Sequence, residues 1–317
     1  MDDETVTTFV LRRLFWTIPV ILLVILLTFV MMRAIPGNPF RRTERPVPEA
    51  IQRNLDAKFN LDKPWYAQYA LYVRDVFTFD LGPSLVLRGR TVNDIVKDNF
   101  PNSIELGLLA FVWAIVLGVP AGVLAALRPN TVFDYAAMFF SNVGFAVPSF
   151  LVATLLIYFF AVQWDLVPTS GWGETWQPDS RKILPSFALG LLPMAYFARL
   201  VRGTMLETLQ QDYVRTAKAK GLRWRRVVGV HVLRNSLIPV VTAAGPLLGF
   251  IITGSFVIEL IFAIPGIGTY YVTAVEGRDY SVVMGLTVLL SLIIIFANLI
   301  VDILYGFLDP RVREQGA

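Results

Sequence analysis

Six stretches without a single Asp, Glu, Lys or Arg run through this chain: Leu14–Met32, Leu106–Leu127, Tyr135–Trp164, Ile183–Ala198, Asn235–Ile258 and Tyr280–Val301. A helix crossing a hydrocarbon layer about 30 Å thick needs roughly 20 predominantly apolar residues, and five of the six meet that length. The fourth is short and spans only if Arg199 and Arg202 extend toward the headgroups. Composition agrees, because only 16% of the residues are charged, against about 25% in soluble domains. The pattern predicts an all-α integral membrane protein with six transmembrane helices.

Arg12 and Arg13 followed by an apolar run resemble a secretory signal at first sight. The run outlasts the usual signal core of about 7–15 residues, and no Ala-x-Ala-like cleavage site follows it. It ends instead at Arg33 and Pro36-Gly37-Asn38-Pro39, so we read it as a retained first span. The absence of cysteine excludes disulfides, thiolate metal sites and cysteine nucleophiles. The net charge of +4 is no nucleic-acid signature, and its distribution says more. With a cytoplasmic N-terminus, the inner loops carry Arg12, Arg13, Arg128, the run from Arg199 to Arg234, Arg311 and Arg313. The two short outer loops carry Arg181, Lys182 and Arg278. That bias places both termini in the cytoplasm, and the long loop after span one crosses largely regardless of its charges.

The expected organisation is therefore a cytoplasmic N-terminus and first helix over 1–33, then an external segment over 34–100. A core of helices 2–6 follows over 101–308, with an internal loop at about 203–235, and a tail over 309–317. In the external segment, prolines extend the start, Pro48–Phe59 has helical spacing, and the aromatics between Lys63 and Phe79 suit a cap at the membrane interface. Pro148-Ser149-Phe150 falls inside the third stretch and Pro185 and Pro193 mark the fourth. Each proline is either a packing kink or the lining of a gated pathway. Gly118-x-x-x-Gly122 and Gly245-x-x-x-Gly249 permit close helix approach. Asn142, Glu259, Asn298 and Asp302 are the polar residues within the spans. Such groups face the bundle or water, and Glu259 has either a pathway or a structural role.

The internal loop is the most informative segment. It contains Gln211-Asp212-Tyr213-Val214-Arg215-Thr216-Ala217-Lys218-Ala219-Lys220-Gly221-Leu222 and then Arg223-Trp224-Arg225-Arg226. Asp212 suits an N-cap, the stretch to Lys220 is rich in helix formers, and Gly221 after two lysines suits a helix stop. Such a basic helix–Gly–helix element is too polar for hydrocarbon and too short for a domain. It binds anionic lipid, enforces topology, or docks a cytoplasmic partner.

This loop resembles the cytoplasmic signature loop of ATP-binding cassette (ABC) importer permeases, in the variant of the dipeptide/oligopeptide branch. Arg215-Thr216-Ala217 stands where the broader family has Glu-Ala-Ala, Gly221 matches its glycine, and His231 through Pro239 resembles the peptide branch's continuation. The likeness extends to Leu11-Arg12-Arg13-Leu14, Pro36-Gly37-Asn38-Pro39, Phe79-Asp80-Leu81-Gly82, Val147-Pro148-Ser149-Phe150, Pro265-Gly266-Ile267-Gly268, Arg278-Asp279-Tyr280 and Leu308-Asp309-Pro310-Arg311. The resemblance implies a type I importer permease fold and a second, homologous permease chain. It also implies two cytoplasmic ATPase subunits that carry ATP and magnesium, and an extracytoplasmic substrate-binding protein. It makes Asp212, Tyr213, Arg215, Thr216, Ala217, Lys218, Ala219, Lys220, Gly221 and Leu222 the ATPase-coupling segment. Asn142, Pro148, Ser149, Phe150 and Glu259 become candidates for the translocation pathway or its gate. Pro265, Gly266, Ile267 and Gly268 are either a tip that contacts the binding protein or a tight packed turn. The implied cargo is peptide, although nickel, glutathione and oligosaccharide systems share the branch.

No phosphate-cradling Gly-x-x-x-x-Gly-Lys-Ser/Thr loop is present, so the chain is expected to be non-catalytic and to bind no cofactor or metal itself. A secondary transporter needs several intramembrane carboxylates or histidines, and the single histidine, His231, lies in the loop.

Overall fold

A computed structural model of the protein describes residues 6–34, 62–253 and 255–308. Among them the only β pairing is one antiparallel bridge between Pro83 and Thr91. In chain order the helices are α1 (Val6–Ala34), α2 (Trp65–Phe77), α3 (Val92–Leu127), α4 (Val132–Ala146), α5 (Ser149–Gln163), α6 (Ser180–Leu209), α7 (Asp212–Ala219), α8 (224–236), α9 (Ile238–Thr253), α10 (Phe256–Ile261), α11 (Ile267–Gly277) and α12 (Tyr280–Leu308). The expected helix over Pro48–Phe59, the proline-rich start of the external segment, the tail over 309–317 and the side chain of Asp302 lie outside the described residues.

Among the described residues, five helices are long and apolar enough to cross a membrane alone, and α4 with α5 makes a sixth if the pair is one span. Two expectations change. The fourth charge-free stretch is not a short span, because α6 runs unbroken through Pro193 and covers 30 residues. The irregular one is the third, where the chain turns by 107° between α4 and α5. Pro148 causes this: it has no N–H for a continuing helix, it sits at φ −57° and ψ 138°, and it holds Val147 extended. α3 begins at Val92, and its 36 residues make a rod of about 54 Å, longer than a hydrocarbon layer needs. Its turn over Ala114–Gly118 is π-helical, just before Pro120, which has no N–H to give to the preceding turn.

Two compact units divide the chain: Met1–Pro101 with Pro265–Ile295, and Asn102–Ile264 with Phe296–Ala317. In the first, α2 does not simply lie across the end of α1. Its Tyr69 hydroxyl donates to the Leu22 carbonyl at 3.2 Å, and its Val76 joins Ile25 of α1 and Val288 of α12 in one buried cluster. The Tyr72 hydroxyl is buried without a hydrogen-bond partner among the described residues, and burial pushes its pKa above the ordinary phenol value.

The second unit is built around α6. Hydrocarbon supplies no hydrophobic drive between helices, so close contact and polar pairing hold them together. Four glycines allow that contact. A Cβ on Gly118 or Gly122 of α3 would stand 2.5 Å from the Met194 or Ala198 carbonyl of α6. One on Gly190 of α6 would stand 2.6 Å from the Ala110 carbonyl, and one on Gly144 of α4 would stand 2.9 Å from the Ala195 side chain. The first glycine pair of the sequence pattern is therefore a true helix contact.

Gly122→Val is expected to force α3 from α6 and destabilise the protein by about 1–3 kcal/mol, read as a lower melting temperature in detergent. Tyr72→Phe removes an unpaired buried hydroxyl, so stability should hold or rise. A clear loss in the same assay would expose a partner for that hydroxyl.

Candidate functional site

The helix–Gly–helix element forms as the sequence predicts, with one shift at its start. Gln211, at φ −69° and ψ 146°, takes the N-cap position, and Asp212 is the first helical residue. The C-terminus closes as a Schellman turn. Gly221 N–H donates to the Lys218 carbonyl at 3.0 Å and Leu222 N–H to the Ala217 carbonyl at 3.4 Å, with Gly221 at φ +75°. Nothing lies within 4 Å of where a Gly221 Cβ would be, so the glycine serves conformation and not packing.

α7 is anchored on one face. Val214 and Ala217 are buried in one cluster with Val201 and Met205 of α6 and Val227 and Val232 of α8. Two polar contacts strengthen the joint: Thr204 Oγ1 donates to the Ser236 carbonyl at 3.0 Å, and Asn235 Nδ2 donates to the Tyr213 hydroxyl at 3.0 Å. The opposite face is exposed and carries Asp212, Arg215, Thr216, Lys218, Ala219 and Lys220. The Lys218 ammonium lies 4.8 Å from the centre of the Trp224 ring, a cation–π contact across the glycine turn. All ten coupling candidates thus sit in one element, Ala217 inside it, Leu222 half-buried against its core and the others exposed.

The element is rooted in a helix held to its neighbours by two ion pairs, Arg202 with Asp134 and Lys182 with Glu105. Arg202 of α6 forms a bidentate pair with Asp134 of α4, Nε to Oδ1 at 2.5 Å and Nη2 to Oδ2 at 2.8 Å. Asp134 is 2% exposed and also accepts from the Asn130 N–H at 2.9 Å. Arg199 donates to Asn142 Oδ1 at 2.8 Å and lies 4.4 Å from the Phe145 ring centre. Both arginines therefore bind α4 rather than reaching for headgroups. At its other end α6 is held by Lys182, whose ammonium donates to Glu105 at 2.6 Å and to the Glu174 and Gln177 carbonyls at 2.8 and 2.7 Å. Trp172 Nε1 completes the set, donating to the second Glu105 oxygen at 3.0 Å. Asp134, Glu105 and Lys182 were not singled out in the sequence, although each directly precedes a charge-free stretch.

The pathway candidates lie around the α4–α5 bend and on α10, which packs against α5 through the buried cluster that Ala153 and Ile258 share. Asn142, Pro148 and Phe150 are exposed around the bend and Ser149 is half-buried there. Glu259 is fully buried and accepts a hydrogen bond from Ser255 of the preceding turn. Among the residues singled out after α10, Pro265 is exposed while Gly266, Ile267 and Gly268 are buried.

Residues 118–314 match the family of binding-protein-dependent transport system inner membrane components. The chain belongs to this family. The dipeptide transport system permease protein of Bacillus subtilis is 49% identical over 300 residues, 94% of this chain and 96% of its own. The oligopeptide transport system permease protein of Escherichia coli K12 is 43% identical over 305 residues, covering 96% and 99%. In a solved inward-facing structure of the methionine ABC transporter, one chain superposes with a TM-score of 0.50 at 18% identity, over 66% of this chain and 95% of its own. At that identity the likeness speaks for the fold, the type I importer permease fold expected from the sequence. This permease is thus a multi-pass inner-membrane component of a transport system.

Arg202→Ala leaves Asp134 buried without its counter-charge and is expected to cost the permease about 3–5 kcal/mol. The double variant Asp134→Leu with Arg202→Met should recover most of that loss. Thermal unfolding of the three proteins in detergent checks both statements.

Proposed function

We propose that this permease is the transmembrane subunit of an ABC importer that moves di- or oligopeptides inward, driven by ATP hydrolysis on separate subunits. The single observation that carries the coupling role is how α7 uses its faces. Its aliphatic residues Val214 and Ala217 are consumed by the permease's own core, which leaves only Tyr213 and the single methyl of Ala219 as apolar side chains on its exposed face. A helix that lies on a membrane needs an apolar face to bury. What α7 and the start of α8 offer outward is polar and cationic with two aromatics, Tyr213 at 42% and Trp224 at 49% exposure. Aromatics and arginine are the residues enriched at protein interfaces. The segment from Asp212 to Leu222 is therefore a lever seated on a cytoplasmic ATPase, which holds the ATP and magnesium.

The loop charges support cytoplasmic N- and C-termini, with 1–33, 34–100, 101–308 and 309–317 as inner end, external segment, core and tail. A second permease chain of the same family completes the pathway, and an extracytoplasmic binding protein delivers cargo. The exposed bend at Asn142, Pro148 and Phe150 is the wall we assign to the pathway. Glu259 supports it from within the bundle. The binding protein meets Pro265 and the exposed side of α11, with Gly266, Ile267 and Gly268 fixing the turn behind them. The relatives named for dipeptide and oligopeptide transport support peptide as the cargo.

Gly221 separates coupling from assembly. A β-branched side chain at φ +75° costs about 1–2 kcal/mol and tilts the lever without meeting a neighbour. In reconstituted complex, Gly221→Val should assemble normally yet lose most of its peptide-stimulated ATPase activity. Gly221→Asn, which tolerates this backbone region, should stay near the parent. Normal stimulation in Gly221→Val, or a permease that purifies with no ATPase, would refute the lever.

A further inference from the structure

The first unit contains a buried carboxylate that the coupling reading does not use. Asp279 stands between α11 and α12 and is 2% exposed. Its position is fixed by backbone bonds: its N–H donates to the Ala274 carbonyl at 2.8 Å, and its own carbonyl accepts the Val283 N–H at 3.0 Å. Its side chain collects donors from a segment almost two hundred positions earlier. Oδ1 accepts from the Leu85 N–H at 3.0 Å, Oδ2 accepts from the Val86 N–H at 3.1 Å, and the Ser84 hydroxyl donates to Oδ2. Ser84 Oγ in turn accepts from the Leu87 N–H at 2.7 Å and the Val86 N–H at 3.2 Å. One carboxylate thus organises four consecutive residues, Ser84 to Leu87, through its own three hydrogen bonds and the two that Ser84 Oγ accepts.

The captured loop is stiff in itself. Val92 N–H donates to the Gly82 carbonyl at 2.9 Å, Ser84 N–H to the Arg90 carbonyl at 3.0 Å, and Leu81 N–H to Asn93 Oδ1 at 2.9 Å. Its tip, Leu87-Arg88-Gly89, is exposed, as are Thr273, Val275, Glu276 and Arg278 on and just after α11. Between loop and helix lies a cavity of 280 Å³ walled by Val86, Leu87, Tyr270, Thr273, Ala274 and Val282, with Asp279 in its lining. The carboxylate holds together two exposed segments far apart in sequence, which a binding protein must find in one fixed relation to dock without an ordering cost.

We propose that Asp279 is a positioning residue for the binding protein: through Ser84 it presents the Leu85–Arg90 loop and α11 as one preformed docking surface. This rests on the reading that places α11 and the loop outside the membrane and a binding protein above them.

The test uses the complete reconstituted complex and titrates cargo-loaded binding protein while ATPase activity is followed. For Asp279→Asn we expect the half-saturating concentration of binding protein to rise about tenfold, equivalent to about 1.4 kcal/mol. Basal activity and the maximal stimulated rate should stay close to the parent. Ser84→Ala, which keeps the carboxylate and removes one donor, should shift the same concentration in the same direction by less, and it tests the idea should Asp279→Asn fail to assemble. Unchanged half-saturation in Ser84→Ala and in any Asp279→Asn complex that assembles overturns the proposal. So does a fall of basal and maximal rates together at unchanged half-saturation, which is a structural effect. A parent complex that ignores loaded binding protein altogether refutes the functional reading itself, and is recognised because the parent, not the variant, is silent.

Discussion

A charge removed from water must meet its counter-charge, and that requirement fixes both ends of α6. At one end Lys182 and Glu105 are 4% and 6% exposed and satisfy each other with help from Trp172 and two carbonyls. At the other, Asp134 is almost wholly enclosed and grips Arg202 with both oxygens. A buried pair of this kind adds little net stability over an apolar pair of similar shape. What it does provide is register, because neither partner tolerates displacement. Between the pairs, Gly118, Gly122, Gly144 and Gly190 let α3 and α4 touch the backbone or short side chains of α6. Both kinds of contact are short-ranged, so a shift of α6 is passed on to α3 and α4 instead of being absorbed. α7, joined to α6 through Met205, Val214 and Val227, belongs to the same packed body.

Much of this fold was legible as charge spacing. Hydrocarbon excludes ionic groups so strongly that the six gaps between charges located the helices without any knowledge of packing. The Schellman stop at Gly221 was legible too, because a left-handed position after a run of helix formers is written in one residue type. The bend at Pro148 was visible only as a kink, since sequence gives the missing N–H and not the angle that neighbours impose. The fourth span looked short for a related reason. Arg199 and Arg202 ended the charge-free count, although each is neutralised or shielded by a group on α4. Partnership is a property of three-dimensional neighbours, and a count along the chain reads a paired arginine as a boundary.

The same limit explains which site residues were missed. Glu105, Asp134, Lys182 and Asp279 each stand immediately before a charge-free stretch. In sequence they read as the solvated ends of spans, and in the structure all four are buried. A carboxylate at a helix end can face water or reach sideways to a neighbouring element, and only the second choice creates a joint. Glu259, which sequence reasoning did select, is buried as well, and it accepts a hydrogen bond from Ser255 of its own turn.

Two physical uses of glycine in one chain have different consequences for function. Gly118 and Gly122 sit where a methyl group would collide with a carbonyl, so their defining quality is small size, and their replacement separates helices. Gly221 has open space on every side and is defined by its backbone angle, so its replacement leaves the bundle packed and changes the direction in which α7 enters α8. An element meant to transmit force needs this division: a body that does not deform, and a corner whose geometry is set locally. Were the corner held by packing, any partner pressing on α7 would deform the body before moving it. Because it is held by one left-handed residue and two backbone hydrogen bonds, and because Val214 and Ala217 are already sunk in the core, the coupling role proposed for α7 requires that pressure on its exposed face reach α6 as displacement.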